Sequence, residues 1–375
     1  MRKSCARRIW RSTRPRTAGA GNTAEIEFIG SQAVTGTGTI RMAAGAEGTA
    51  NLLRLDGLDD GGAEALSFGA GITLRGTGTI GVEDAGDTVA ILGTVIAEGG
   101  AIRLDHIDNG GAAMVLDASD GAILIDGLKN AQLVAASGQT GIVGLTGSTE
   151  LAAVTLGIGA DFAAPFVNTT MTVTGGLGLG GVDLSLAGSE FATATLRVLG
   201  AQTLSGTGRV LFSDRYAIEG RAVSTALAFA GTDTDLAETF TVAAGIAFEG
   251  TGAVTVSAGD LLDFRGDIRA EGGAFSFEGI TALDSDLAVA DLSLLAFDRD
   301  LGLGDAATLT VELAGAGRDA SAGVVSVAGL LGLNGGFAFD IAADFDAAIG
   351  AEFLVAEATG GFAGGFDSVT GFEID

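Results

Sequence analysis

Residues 74–80 read LRGTGTI. The same knot of glycine and threonine between apolar residues stands at 34–40 (VTGTGTI), 204–210 (LSGTGRV) and 248–254 (FEGTGAV). Glycine adopts the φ values that tight corners need, at no side-chain cost. Threonine favours strands, and its hydroxyl can bond locally at a turn. The knot therefore reads as a corner plus a narrow strand, at a place where coils of chain stack closely.

The sequence around the knots agrees with strands and turns. From about residue 24 the chain runs as short alternating apolar segments: EIEFIG (25–30), GITLRG (71–76), AIRLDHIDNGG (101–111), AAMVLDASDG (112–121), AILIDGLKN (122–130) and AQLVAASG (131–138). Gly, Asp, Asn and Ser punctuate them. Segment length and alternation predict strands, and the punctuation predicts turns. No stretch carries a sustained helical period with caps. The expected class is all-β.

Spacing narrows the architecture. Ala101, Ala113, Ala122 and Ala131 open similar segments at intervals of 12, 9 and 9. The knots at Gly36, Gly76, Gly206 and Gly250 are 40, 130 and 44 residues apart. The middle interval is about three times 43, which reads as a degenerate period. A repeat of this size predicts stacked coils, two per repeat. The expectation is a right-handed parallel β-helix (β-solenoid). At roughly 21 residues a coil and about 4.8 Å a rung, it would have about 16 coils and a length on the order of 80 Å.

Three segments are expected: a basic leader at 1–20, solenoid coils at 21–305 and a Phe-rich end at 306–375. The leader, MRKSCARRIWRSTRPRTAGAGN (1–22), has no apolar stretch after its charges. It reads as unstructured or as a misplaced start rather than an ordinary secretory signal. Thirteen of the 20 Phe lie from residue 240 onward. Phe275 and Phe277 share one face of their segment, as do Phe337 and Phe339. Stacked inward aromatics bury much area, so the C-terminal third is expected to be the more stable part. Pro165 and FVNTTMTV (166–173) break the pattern, and a second domain near residue 165 stays open.

Composition excludes several classes. Seven of the 20 basic residues lie in 1–17, leaving 13 against 47 acidic ones, a formal −34. Such a polyanion does not bind nucleic acid through phosphate contacts. The single cysteine, Cys5, allows no intrachain disulfide and no cysteine-based metal site. No run of about 18 apolar residues predicts a membrane helix.

Residues 308–370 contain LTVEL, VSVAGLLGLNGGFAFDI, GAEFLVAEA and GGFDSV. These resemble the repeat near the end of autotransporter passenger domains and related bacterial surface adhesins. Members often carry a Tyr–Asp pair before the VSVAG strand, where this chain has Ala322 and Gly323. The resemblance implies a right-handed parallel β-helix, export to the bacterial cell surface, and a C-terminal membrane barrel. With Trp10 and Tyr216 as its only Trp and Tyr, this chain has no aromatic girdle, so membrane attachment would come only through a barrel not present in it.

The polar residues offer few candidates for chemistry. His106, the only histidine, lies in LDHIDNG between Asp105 and Asp108. Nothing marks a serine partner for a triad, so it reads as a histidine at a strand edge. Asp105, Asp117 and Asp126 follow apolar segments and read as turn residues, with weak Ca²⁺ sites or acid–base work as the rival readings. GLDDGGAE (57–64) is the closest acidic cluster and matches no calcium repeat. Arg299 between Asp298 and Asp300 reads as a surface ion cluster. GLGLGG (176–181) lacks the Lys–Ser/Thr of a phosphate loop. No catalytic, cofactor or metal residue is assigned, and no cofactor is expected.

The expected function is an extracellular structural and adhesive segment of an autotransporter-like surface protein, not an enzyme. Its partners would be molecules of a host or neighbouring-cell surface. The rival readings are a polysaccharide-active β-helix enzyme and a Ca²⁺-stabilised surface-layer component.

Overall fold

The computed structural model describes residues 11–12, 23–43, 50–57, 62–139, 141–146, 150–164, 166–216, 225–232, 236–317, 321–347 and 350–371. Of the basic leader, only Arg11–Ser12 is described, as a short strand antiparallel to Glu27 and Ile26; the rest lies outside these residues. The protein is all-β, and no helix occurs among the described residues. The alternation explains this. In Ile72–Val82, Ile72, Leu74 and Ile80 are buried; in Thr94–Asp108, Ile102, Leu104 and Ile107 are. Each such side chain contributes about 1.5–3 kcal/mol when fully buried. A shift of register by one residue would expose the whole row.

The chain forms two compact units, 1–160 and 161–375. Within each, strands pair mainly in parallel with segments one or two dozen residues or more further on. Ile123 faces Ile102, 21 residues back, so Ala101 and Ala122 are neighbours as their spacing implied. Elsewhere the spacing departs from 21: Ile268 faces Leu287 and Gln202 faces Phe240, separations of 19 and 38. Extra residues sit in the connections, which tolerate them at little entropic cost.

In the first unit, Ile72–Val82 pairs through its first half with Gly38–Met42 and through its second half with Ala50–Asp56. In the second, Thr169–Ser189, Ala194–Leu199, Thr225–Ala230, Ile246–Val256 and Gln202–Tyr216 pair in that cyclic order and close into a small parallel barrel. A further ladder joins Ala282–Leu283, Leu301–Leu303, Leu331–Leu333 and Phe362–Gly364.

Three knots are places where one long strand changes partner, and the knot at 36–38 separates Gln32–Val34 from Gly38–Met42. At Gly76 and Gly78 the φ angles are +115° and +148°, and the pairing register slips between them. A Cβ on Gly78 would lie 2.5 Å from the Asn51 carbonyl oxygen. Only glycine combines that backbone with that approach. The threonine between them plays a different part from the local turn bond expected. Its side chain lies over a bare glycine of the next strand. A Cβ on Gly100 would come within 2.7 Å of Thr77 Cγ2. The same methyl contact recurs as Thr37 on Gly71 and Thr207 on Gly245, while Thr251 meets Gly273 through Oγ1. Thr251 alone adds a hydrogen bond, donating to the Ala274 carbonyl at 2.9 Å.

Strand pairing also corrects the expected period. The four knots belong to two copies of one module, 24–104 and 194–277. Gln32 faces Leu66 as Gln202 faces Phe240. Gly38 faces Ile72 as Gly208 faces Ile246. Gly78 faces Ile102 as Gly252 faces Phe275, with the same register slip between the two glycines of the knot. The interval of 130 residues between Gly76 and Gly206 is therefore the gap between copies, and no knots are missing inside it.

The copies differ in what fills them. Met42, Leu55, Leu66, Leu74, Ile91, Ile102 and Leu104 of the first correspond to Phe212, Phe229, Phe240, Phe248, Phe264, Phe275 and Phe277 of the second, all buried. The exchange runs the other way at Phe28 and Phe68, which become Val198 and Val242. In the second copy the rings touch in series. Phe212 lies 5.6 Å from Phe248 and 4.7 Å from Phe275, and Phe275 lies 4.6 Å from Phe277. Phe277 meets Phe297 at 5.8 Å. The aromatic stack thus begins at Phe212, ahead of the composition shift seen at residue 240.

Candidate functional site

His106 lies near the end of Thr94–Asp108 with φ +54°, a left-handed conformation that turns its ring to solvent. Its Nδ1 is 2.8 Å from Asp105 Oδ1. Ser119 Oγ, the next hydroxyl along the chain, donates to Asp117 Oδ1 at 2.6 Å. A histidine oriented by a carboxylate is present, and a nucleophile is not part of the arrangement.

The three aspartates read as turn residues divide. Asp117 lies inside the strand Ala113–Ala135 beside a break in register, and makes the local bond of a turn residue, Oδ1 also accepting from the Ser119 backbone at 3.1 Å. Asp105 and Asp126 do not. They sit directly opposite each other in neighbouring strands, where like charges repel. Arg103 relieves this by donating to Asp126 Oδ2 at 2.8 Å, and His106 holds Asp105. Asp108 bonds Asn130 Nδ2 (3.1 Å) and the Gly110 amide (3.1 Å).

Arg299 forks onto Asp298, with Nη2 2.8 Å from Oδ2. That guanidinium, helped by the Gly279 amide, holds the Asp298 carboxyl below the usual carboxylate range. Asp300 takes no part in the pair; its Oδ1 accepts the Leu330 amide at 2.7 Å. Residues 176–181 lie within the strand Thr169–Ser189, bent at the left-handed Gly176 and Gly181: Leu177 and Leu179 are buried, and the Gly176 amide donates to Gln202 Oε1 at 2.8 Å. That geometry leaves no cradle of amides for a phosphate.

Two acidic groupings arise from residues distant in sequence. Carboxylate oxygens of Glu27, Asp56 and Glu83 lie within 4.8 Å of one another. Arg54 already serves this group, reaching Glu25 (3.0 Å), Glu83 (3.2 Å) and Glu27 (3.3 Å). The second involves the end of GLDDGGAE. Residues 58–61 of that stretch lie outside the described residues. Glu64 is buried, and its amide donates to Asp87 Oδ1 at 2.8 Å. The second copy repeats the bond, Glu238 amide to Asp260 Oδ1 at 3.1 Å.

Sequence reading passed over Asp87. A signal existed: Gly57, Ala63-Glu64 and Ala85-Gly86-Asp87 recur as Gly231, Ala237-Glu238 and Ala258-Gly259-Asp260. No family model, curated protein or solved structure matches this chain.

Proposed function

We propose that the chain is a β-solenoid segment of a bacterial surface protein, a right-handed parallel β-helix that serves as a stiff display rod rather than as an enzyme. The observation that carries this reading is the mainly parallel pairing of strands with others further along the chain, turned at glycine corners and filled by inward aliphatic and aromatic rows. Chains built this way stack repeating units on a continuous core, and their connections tolerate insertions that become contact surfaces. The passenger-like pattern at 308–370 supports export to the cell surface, with attachment through a barrel encoded elsewhere. The strong negative charge favours an extended, soluble body that resists self-association. The partners on this reading are molecules of a host or neighbouring cell.

The test is adhesion with a catalytic control. Beads coated with the purified chain should bind cells saturably, and free chain should compete. Release of new reducing ends from uronic-acid polymers would instead establish the polysaccharide-active reading.

A further inference from the structure

The stretch FVNTTMTV, which breaks the strand pattern at 166–173, contains Asn168-Thr169-Thr170. Asn-X-Ser/Thr is the acceptor sequence for N-linked sugars. Of the six asparagines in the chain, only Asn168 has a hydroxyl residue two positions on. It is exposed and stands immediately before the strand Thr169–Ser189, after the bend at Phe166 and Val167.

The side chain is oriented for such a modification. The Thr193 amide, which can only donate, bonds Asn168 Oδ1 at 2.8 Å. That bond fixes the amide oxygen against the backbone and turns Nδ2, the atom that carries an N-linked sugar, the other way. Nδ2 has no hydrogen-bond partner among the described residues. Thr170 lies on the outward side of its strand, since Met171 beside it is fully buried. Thr169 is engaged locally instead, its hydroxyl donating to the Val167 carbonyl at 2.9 Å.

The surroundings are apolar, and the core does not use them. Phe166, two residues before Asn168, is 80% exposed, whereas Phe162 is fully buried. Phe191 is 67% exposed. It lies two residues before Thr193, on the adjoining turn to which Asn168 is bonded. Exposed apolar surface gathered around a polar group marks a place that something covers. A sugar ring suits it, because its C–H face carries partial positive charge and packs on the negative face of an aromatic ring.

We propose that Asn168 is an N-glycosylation site whose first sugar rests on the ring of Phe166, with Phe191 beside it on the adjoining turn. The linkage forms when Nδ2 attacks C1 of a sugar activated as a glycosyl phosphate. The C1–O bond breaks, the phosphate leaves with its electron pair, and Nδ2 gives up one proton to a base of the transferase. Nothing is oxidised or reduced. The site goes beyond the display reading and does not depend on it, since a sugar can be carried whether or not the chain binds cells.

The test is mass spectrometry with fragmentation on the full chain isolated from the cells that naturally make it. At least one sugar is expected, located on Asn168. N168Q and T170A made in the same cells should lose it, and T169A should keep it. The glycosylated chain should melt at a higher Tm than the same chain from cell-free synthesis, which carries no sugar. F166A should keep the sugar and lose that rise in Tm. An unmodified Asn168 in the natural chain, or a sugar that persists in T170A, would overturn the proposal. An equal rise in Tm with and without Phe166 would overturn the seat on its ring.

Discussion

The side-chain amide of Asn109 bonds Ile91 as a neighbouring strand would. Asn109 Oδ1 accepts the Ile91 amide at 2.7 Å, and Nδ2 donates to the Ile91 carbonyl at 2.7 Å. The ladder between Val89 and Ile107 is thereby carried one step further by a side chain. Asn109 is 4% exposed, so both backbone groups of Ile91 depend on it. N109A should cost about 3 kcal/mol, the penalty for leaving buried backbone groups unpaired. Chemical denaturation checks the magnitude. Hydrogen exchange at Ile91 checks the cause, because its amide should lose protection before its neighbours do.

The knots make a second prediction. G78A should destabilise by well over about 1 kcal/mol, because its φ is +148° and its Cβ would press on the Asn51 carbonyl. Gly86, in the same unit, has open space around its α-carbon and no left-handed φ. G86A should be neutral or gain up to about 1 kcal/mol through the unfolded chain. Equal effects from the two substitutions would show that corner geometry is not what glycine supplies.

In the aromatic stack, Phe275 touches Phe212 and Phe277 and is fully buried. F275A should cost about 3–5 kcal/mol from lost transfer energy and the cavity left behind. Phe362 is 54% exposed, and F362A should change stability by less than about 1 kcal/mol. Urea midpoints at constant m-value separate the two cases.

Acid sensitivity follows from Asp298. Its folded pKa lies below its unfolded value of about 3.9. The stability it contributes is therefore complete above that unfolded value and lost as pH falls through the folded one. Both partners are substantially exposed, so the contribution stays below about 1 kcal/mol. R299A should raise the Asp298 pKa in an NMR titration and reduce stability slightly at neutral pH. The difference from wild type should vanish at the acid end. An Asp298 titration unmoved by R299A would refute the assignment of Arg299 as its main partner.

Much of the fold is written locally and could be read that way. Alternation in GITLRG or AILIDG marks a strand wherever one face is buried, and the glycine of a corner leaves its trace in any register. What pairs with what is not local. Gly76 and Gly206 look like members of one series until their strand partners separate them into copies. Insertions in the connections shift the offset between copies from 170 residues at Gly36 and Gly206 to 174 at Gly76 and Gly250. The exchange of Leu for Phe hides the likeness further. The bond between Glu64 and Asp87 is hard to read for a related reason. The two residues come from separate connections, and only the recurrence of their pattern in the second copy joins them. Asp105 and Asp126 misled in the opposite sense: each follows an apolar segment as a turn residue would, yet the strand continues through it.

The reciprocal exchange of Phe with smaller side chains bears on misassembly. A strand of one copy offers the hydrogen-bond register that the other copy's partner requires, so the backbone alone cannot tell the right neighbour from its duplicate. The interiors can. Laying Phe275 into the place of Ile102 overfills the first copy, and laying Ile102 into the place of Phe275 leaves a hole in the second. Two modules cut to one pattern but filled to different gauges can sit in the same chain with little risk of trading strands.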